Sequence, residues 1–334
     1  MTATMAPKTP AGSALRIVPA EIPEPYRDLI DGPYWAALTT VMPDGQPQTT
    51  PVWCNREGNY VLTNTMQGFR KEKNMRANTH VDLLVYDPHN PLRNIEVRGL
   101  VVEMTEEGAV EHDDRLAQLY TGNPTARFFG DAVPADLAEK YIPVKVTIAP
   151  THVRVGDPTP SASQRARSGH PIEGEEATKA SDPEPASELS LKHLPPSVPD
   201  SHRDLLVRPI HGILSTIMPT GQPQASLVWV DYDGTHVLIN TALGRQKCRN
   251  MQANSKVTLL VVDPNKTDRW IEVRGRVTEI TTHGAIPHAD KLAQRYTGKQ
   301  HFYGDVYEVE WQQYETRVIV KIEPVRVSLD AIFK

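Results

Sequence analysis

Short apolar runs, each closed by a turn signal, dominate residues 35–155. Residues 35–41 are apolar and end at Pro43-Asp44-Gly45, residues 48–53 alternate, and residues 81–86 stop at Asp87-Pro88. Pro-Asp-Gly between two such runs is typical of a β-hairpin. Further strands are predicted at 60–63, 94–104 and 144–155, with a bulge or bend at Gly99. The pattern therefore predicts about six antiparallel strands.

Two segments have a helical pattern instead. A basic helix follows the strand at 60–63, and a second helix is predicted at about 106–120 with Val110, Leu116 and Leu119 on its apolar face. Antiparallel strands with two helices favour a small closed or split barrel over a parallel sheet.

The whole pattern occurs twice. Three segments of the first half match segments of the second half: MPDGQPQTTPVW matches MPTGQPQASLVW, IEVRGLVVEMT matches IEVRGRVTEIT, and RLAQLYTG matches KLAQRYTG. The register then slips by two residues, where FFGD answers FYGD. A long period that occurs only twice indicates domain duplication.

The segments outside the repeats have a different composition. Residues 1–20 are rich in Ala, Pro and Thr, and residues 157–199 are rich in Ser, Pro, Glu and Ala with few large apolar residues. Such segments bury too little surface to offset their ordering entropy. We predict a disordered tail at 1–20, one unit at 21–156, a flexible linker at 157–199 and a second unit at 200–334.

Composition narrows the class of protein. A net charge of −5 over 334 residues argues against a general nucleic-acid binder. Two cysteines provide no disulfide framework, and no segment has the ~20 apolar residues that cross a bilayer. The N-terminal segment lacks the apolar core of a signal peptide. We expect a cytoplasmic protein with a small-molecule substrate and neither nucleic acid nor membrane as a partner.

The most distinctive repeated stretch is a strand that leads into a cationic helix. Residues 60–78 read YVLTNTMQGFRKEKNMRAN, and residues 236–254 read HVLINTALGRQKCRNMQAN. A helix N-terminus with unpaired N–H groups and nearby cations favours a phosphate. One copy alone would favour a solvated basic face. Repetition in register favours a phosphate site, although shared ancestry would also preserve the pattern.

Each unit resembles the split β-barrel superfamily of pyridoxamine-5'-phosphate-oxidase-like proteins, which bind FMN or deazaflavins. The unit is most similar to the branch that uses coenzyme F420. The resemblance is carried by the PDGQPQ hairpin, TNT…RKEKN, IEVRG and LAQLYTG, in this order in both units with small changes. It implies a mainly β protein, in which two tandem split β-barrels (the FMN-binding split-barrel fold) form an internal pseudo-dimer.

The resemblance also implies the cofactor residues. The cofactor phosphate would be bound by Arg70 and Lys71, and in the second unit by Lys247 with Arg245, because Gln246 stands in place of the arginine. The ring system would lie along Thr49, Thr50, Pro51, Val52 and Trp53, and along Ala225, Ser226, Leu227, Val228 and Trp229. The phosphate end would involve Thr63, Asn64 and Thr65, and in the second unit Ile239, Asn240 and Thr241.

The implied activity is F420-dependent hydride transfer to a small organic substrate. An FMN-dependent oxidase or reductase and a non-catalytic cofactor carrier remain alternatives. Neither unit ends in the Arg-Leu-x-Pro type segment of true pyridoxamine-phosphate oxidases, so vitamin B6 oxidation is not expected. No catalytic residue is assigned, because the cofactor carries the chemistry.

Members of this superfamily pair their barrels, with cofactors in the grooves between them. A linker of about 40 residues has an end-to-end spread of roughly 35 Å, which raises the local concentration to around millimolar. We therefore expect the two units to pair within the chain, with further homo-oligomerisation left open.

Other candidate residues are interpreted structurally. His112, Asp113 and Asp114, echoed by His288 and Asp290, are interpreted as a solvated helix face in preference to a metal site, since ligands of diagnostic spacing are lacking. Glu96 with Arg98, like Glu272 with Arg274, is expected to form a cross-strand ion pair. Cys54 is expected to pack, and an essential role for Cys248 is not expected, although Lys247 could lower its pKa. Tyr120 and Tyr296 are interpreted as helix-end anchors.

Overall fold

The computed structural model describes residues 17–156 and 197–330, and each range contains one seven-stranded antiparallel sheet. The elements of the first unit are α1 (Arg27–Asp31), β1 (Ala36–Val41), β2 (Pro47–Val52), β3 (Cys54–Glu57), β4 (Tyr60–Met66), α2 (Arg70–Ala77), β5 (His80–Asp87), β6 (Asn90–Thr105), α3 (Ala109–Thr121) and β7 (Pro143–Val155). Those of the second are α4 (Asp200–Val207), β8 (Gly212–Ile217), β9 (Pro223–Val228), β10 (Val230–Tyr232), β11 (Val237–Ala242), α5 (Gln246–Ala253), β12 (Lys256–Asp263), β13 (Lys266–Thr281), α6 (Ala285–Thr297) and β14 (Arg317–Leu329).

The two sheets share one topology. Their strand orders are β2-β1-β5-β6-β7-β4-β3 and β10-β11-β14-β13-β12-β8-β9, which is the same order read from opposite edges. The mainly β class and the duplicated split barrel are thus confirmed. Residues 1–16 of the predicted tail and 157–196 of the predicted linker lie outside the described residues. None of the helices in the described ranges is long and apolar enough to span a bilayer.

The sequence pattern missed two elements of the first unit. Strand β3 begins only one residue after β2, with no Gly or Pro between them, and the short helix α1 was not predicted. The bulge at Gly99 is confirmed, because the β6–β7 register shifts between Arg98 and Gly99. A Cβ at Gly99 would lie 2.7 Å from the carbonyl oxygen of Ala149, so only glycine fits this close approach.

Each sheet curls around its own apolar core. The first core contains Leu38, Leu83, Val97 and Ile148, and its opening is closed by Leu29 and Ile30 of α1. Helix α2 is fastened outside the core by Asn74, whose amide nitrogen donates to Thr40 Oγ1 (3.0 Å) and Gln48 Oε1 (2.9 Å). This attachment fixes the direction of the α2 N-terminus, where the site lies.

The two units pair mainly through β2 and β9: β2 lies against β8, β12 and β13, and β9 lies against β1, β5 and β6. Ser215 Oγ lies 2.8 Å from both Thr39 Oγ1 and Thr49 Oγ1. Two glutamines make matching bonds across the junction: Gln46 Nε2 donates to the carbonyl of Val257 (2.7 Å) and Gln222 Nε2 to that of Val81 (2.8 Å). A buried apolar cluster of Ala37, Leu84, Ile213, Ala225, Leu260, Val262 and Trp270 combines both units. The expected pairing within the chain is therefore observed.

Acidic side chains accept hydrogen bonds from backbone N–H groups across this junction. Thr49 N–H donates to Glu272 Oε1 (3.0 Å), and Ala225 N–H donates to Asp82 Oδ2. The ion pairs expected of Glu96 with Arg98 (3.2 Å) and Glu272 with Arg274 (2.9 Å) are present, but each joins neighbours on one strand. Arg154 on β7, the cross-strand neighbour of Glu96, lies farther away at 3.9 Å.

Asp82 breaks the symmetry of the junction, because its counterpart is Thr258. Burial and the adjacent Glu96 raise the pKa of Asp82 well above its ordinary value. The folded state therefore holds a proton that the unfolded chain releases at lower pH. Stability from this proton is complete below the unfolded pKa and is lost as pH rises toward the folded pKa.

We predict that Asp82→Asn stabilises the protein at alkaline pH. Asparagine keeps an acceptor for Ala225 N–H but carries no ionisable group. Thermal unfolding at pH 5 and pH 8 should show a smaller loss of Tm on raising the pH, with a gain of about 2 °C or more at pH 8. Asp44→Asn is the control, since the pKa of Asp44 is lowered and its removal should not stabilise. An unchanged pH dependence of Tm in Asp82→Asn would contradict the interpretation that Asp82 holds a proton in the folded state.

Candidate functional site

A cavity of about 630 Å³ opens at the first groove between the units. Most of its wall comes from β2, β4, α2, α3 and the segment after α3, and the second unit adds Thr267, Asp268 and Asp330. A volume of roughly 300–1,000 Å³ is usual for small-molecule sites. The site is thus built mainly by one unit and closed by the other.

Lys71 provides the positive charge in this cavity. It lies in the first turn of α2, is 8% exposed, and forms no hydrogen bond or ion pair with the residues that the structure describes. The N-cap residue Phe69 offers no side-chain oxygen to the free N–H groups of this turn. Burial lowers the pKa of Lys71 to about 8, although Asp113 and Glu272 oppose the shift. A buried ammonium beside uncapped N–H groups suits an anionic ligand group.

Asp113 provides a carboxyl group in the same cavity. It is 2% exposed, and its Oδ2 has no hydrogen-bond partner among the described residues. Burial raises the pKa of Asp113 to about 7, with Asn64 and Lys71 opposing the shift. Near neutral pH this side chain can therefore donate or accept a hydrogen bond.

His112 fixes the rotation of α3 that brings Asp113 into the cavity. It is fully buried, with one ring nitrogen on Asn64 and the other 2.8 Å from Asn55 Oδ1. Asn64 Nδ2 donates to the carbonyl of Ala109 at 2.9 Å. The interpretation of His112 and Asp113 as a solvated face is wrong, because these bonds turn them inward, and Val110, expected on the apolar face, is 48% exposed.

Aromatic side chains form part of the cavity wall, among them Trp53 and Phe128. The ring of Trp53 stacks on Tyr120 with centroids 4.9 Å apart, and Phe128 meets Trp53 edge-on at 5.9 Å. The buried indole N–H of Trp53 has no partner among the described residues. Tyr120 itself is occupied as the expected helix-end anchor, because its hydroxyl donates to the Tyr34 carbonyl (2.8 Å) and accepts from Cys54 N–H (3.0 Å).

A second, mostly apolar compartment of about 460 Å³ adjoins the first. Trp35, Pro51, Trp53 and Thr267 line both, so these residues form the boundary. Its remaining wall combines Tyr34, Ala36, Ala37, Tyr86 and Pro88 with Ile213, Leu260, Val262 and Pro264 of the second unit. The arrangement provides room for two molecules side by side.

The structure brings together some of the residues predicted in the first unit. Those that line the cavity are Pro51, Val52, Trp53, Asn64, Thr65 and Lys71. Thr49 and Thr63 are buried elsewhere: Thr49 bonds across the junction, and Thr63 Oγ1 donates to the Trp53 carbonyl at 2.7 Å. Thr50 and Arg70 are also absent from the cavity wall, and Arg70 is exposed.

The residues predicted in the second unit have a different environment. Ala225 and Leu227 pack in the inter-unit cluster, Val228 and Ile239 in the second core, and Ser226 is buried. Trp229, Asn240, Thr241 and Lys247 occupy positions matching Trp53, Asn64, Thr65 and Lys71. Arg245 is held by Glu315 at 2.6 Å and matches Phe69, not Arg70.

The remaining sequence candidates are structural. Cys54 and Cys248 are fully buried, and burial raises both thiol pKa values. Lys247 does act to lower the pKa of Cys248, as expected, but burial outweighs it. Tyr296 anchors its helix end as Tyr120 does, by donating to the Ile210 carbonyl at 2.9 Å. No group of three or more metal-ligating side chains occurs in the described ranges.

Sequence reasoning missed Asp113 as a cavity residue, as well as Phe69, Leu116, Phe128 and Leu137. One signal was available for Asp113: its counterpart in the otherwise similar second helix is Ala289. A difference at one position within a matched repeat can mark a residue that one groove needs and the other does not.

Comparison with known proteins identifies the family. The family model for pyridoxamine 5'-phosphate oxidase matches residues 22–142 and 198–329. Among solved structures, an F420 reductase is 33% identical over 39% of this chain and 98% of its own, with a TM-score of 0.34. A conserved hypothetical protein of Mycobacterium tuberculosis is 24% identical over 42% of this chain and 89% of its own, with a TM-score of 0.30.

General Stress Protein 26 of Bacillus anthracis is 19% identical over 41% of this chain and 94% of its own, with a TM-score of 0.30. A search of curated proteins returned no match. Because the family model covers both units over most of their length, the chain belongs to the pyridoxamine 5'-phosphate oxidase family.

Proposed function

We propose that this protein is an oxidoreductase that binds a deazaflavin of the F420 type in the first groove and reduces a small organic substrate. The observation that supports this most strongly is the partnerless Lys71 ammonium in a cavity that aromatic side chains, among them Trp53 and Phe128, also line. An anionic chain that carries a flat ring could contact both the charge and the aromatic surface.

The residues present fit such a cofactor. Lys71 and the first-turn N–H groups of α2 would hold its phosphate, and Asn64, Thr65 and Asp113 lie where polar groups of its side chain could bond. Thr65 Oγ1, Asp113 Oδ2 and Trp53 Nε1 are all buried without partners among the described residues. Buried polar atoms normally have partners, so these three leave room for ligand contacts.

A bound deazaflavin supplies a hydride, and the protein supplies orientation and exclusion of water. Trp53 and Pro51 lie between the two compartments, so they would define the contact between cofactor and substrate. The apolar wall of the second compartment would keep water from the substrate. Asp113 carries a proton for part of the time at neutral pH and can hold it toward the cavity.

The choice of deazaflavin over FMN rests on the IEVRG strand and the LAQLYTG helix end of the sequence. Side-by-side fluorescence titrations should show tighter binding of F420 than of FMN, and pyridoxamine phosphate should yield no hydrogen peroxide. Turnover of reduced F420 with electron acceptors distinguishes an enzyme from a carrier. Tight retention of FMN with oxygen consumption would replace this proposal with a flavin-dependent oxidase.

Lys71→Ala should weaken cofactor binding tenfold to a hundredfold, because a hydrogen bond to a charged group contributes about 1.5–3 kcal/mol. Lys73→Ala is a matched control, since Lys73 is exposed on the same helix. Titration calorimetry on both variants measures the difference. Equal affinities of the two variants would indicate that α2 is a solvated basic face and does not bind the cofactor phosphate.

Cofactor affinity should fall as pH rises from 6 to 9. Asp113, with a pKa of about 7, gains a negative charge near the phosphate, and Lys71, with a pKa of about 8, loses its positive charge. Both changes oppose anion binding. In Asp113→Asn the loss of cofactor affinity near pH 7 should disappear, and only the loss near pH 8 that follows deprotonation of Lys71 should persist. Fluorescence titrations across this range decide the point, and a pH-independent affinity in the wild type would contradict it.

A further inference from the structure

The second groove is built on the same scaffold but is filled differently. Two counterparts of cavity-lining residues, Asn240 and Phe302, both contact Arg317, a buried residue at the start of β14. Arg317 Nε donates to Asn240 Oδ1 at 2.8 Å, and its guanidinium lies 4.5 Å from the centre of the Phe302 ring. The corresponding residue of the first unit is Pro143, which has no side chain long enough to reach Asn64. Arg317 therefore occupies space that is open in the first groove.

A carboxylate occupies the second groove as well. Glu315 accepts from Arg317 Nη1 (3.1 Å), Arg245 Nη2 (2.6 Å) and the hydroxyl of Tyr303 (2.6 Å). The first unit has Phe69 in place of Arg245 and Tyr141 in place of Glu315, and these two rings pack with their centroids 5.3 Å apart. Because Glu315 already pairs with both guanidinium groups, an incoming phosphate would have to displace it and leave a partly buried carboxylate unpaired.

Larger side chains also replace three residues of the first cavity wall. Ala132, Val133 and Leu137 of the first cavity correspond to Val306, Tyr307 and Trp311. Val306 and Trp311 pack on a buried cluster with Phe302 and Tyr303, and Tyr307 lies against Phe302 with centroids 4.9 Å apart.

The polar atoms of the second groove are also mostly satisfied. Trp229 Nε1 donates to His211 Nε2 at 3.2 Å, whereas the matching Trp53 N–H is unpartnered. Asp113, with its free oxygen, corresponds to Ala289. Thr241 Oγ1 repeats the unpartnered state of its counterpart Thr65. Lys247, like Lys71, forms no hydrogen bond or ion pair with the described residues. The charges around the two lysines differ: Lys71 lies near the acidic Asp113 and Glu272, whereas Lys247 lies near Arg245, Arg154 and Arg317 as well as Glu96.

From these contacts we infer that the second groove is closed by the chain's own side chains, with Glu315 in place of a bound anion, and that each chain binds one cofactor in the first groove. This inference rests on the proposed function only for the identity of the ligand. The second unit then acts as a structural partner that supplies part of the wall of the first site.

Stoichiometry tests the inference on the full-length protein. Titration with F420, and separately with FMN, should saturate at one equivalent per chain for any ligand that binds. Lys71→Ala should remove all high-affinity binding over the wild-type concentration range. Saturation at two equivalents, or one equivalent left at unchanged affinity in Lys71→Ala, would overturn the single-site inference.

A second measurement does not depend on the ligand. Leu116 borders the first cavity although its side chain is only 1% exposed, and its counterpart Leu292 is fully buried in the second unit. Leu116→Cys should react with N-ethylmaleimide at least tenfold faster than Leu292→Cys, with the wild type and its two buried cysteines as background. Circular dichroism verifies that both variants fold. Similar rates would overturn the inference, whether or not either cofactor binds: two fast reactions would show an open second groove, and two slow ones a first groove that is closed as well.

Discussion

The site depends on the docking of one unit against the other through backbone N–H groups and buried carboxylates. β2 and β9 each give an N–H to an acidic side chain of the other unit, from Thr49 to Glu272 and from Ala225 to Asp82. Both carboxylates are almost completely buried, so leaving one unpaired would cost far more than a surface bond is worth. This constraint fixes the relative position of the sheets. Since the cavity lies between them, it also fixes the cavity.

Much of the fold could be predicted from sequence because the strands carry local signals. Turn residues at Pro43-Asp44-Gly45 and Asp87-Pro88 separated the runs, and repetition confirmed each of them independently. Strand β3 was not predicted because it follows β2 without a turn residue. The buried face of α3 was predicted wrongly for a different reason. Val110 has the spacing of a core residue, but hydrogen bonds from His112 to Asn64 and Asn55 set the rotation of the helix. Such bonds join residues about 50 positions apart, beyond the reach of periodicity.

The site could be predicted only where it follows the chain locally. Lys71, Asn64, Thr65 and Trp53 belong to recognisable stretches and do line the cavity. The state of the second groove depends on residues that are distant in sequence. Arg245 meets Glu315 across 70 positions, and Arg317 meets Asn240 across 77. Each looks like an ordinary polar or charged residue until the fold brings them together.

The covalent union of the two units has a further consequence for how this protein can change over generations. In a dimer of identical chains, every substitution enters both grooves at once, so a change that suits one site is imposed on the other. Here Pro143 and Arg317 are separate codons, as are Asp113 and Ala289. One half can therefore accumulate substitutions for packing while the other keeps those for binding. The tandem arrangement can free the second groove from selection for a ligand, while the residues of the second unit that line the first cavity remain under it.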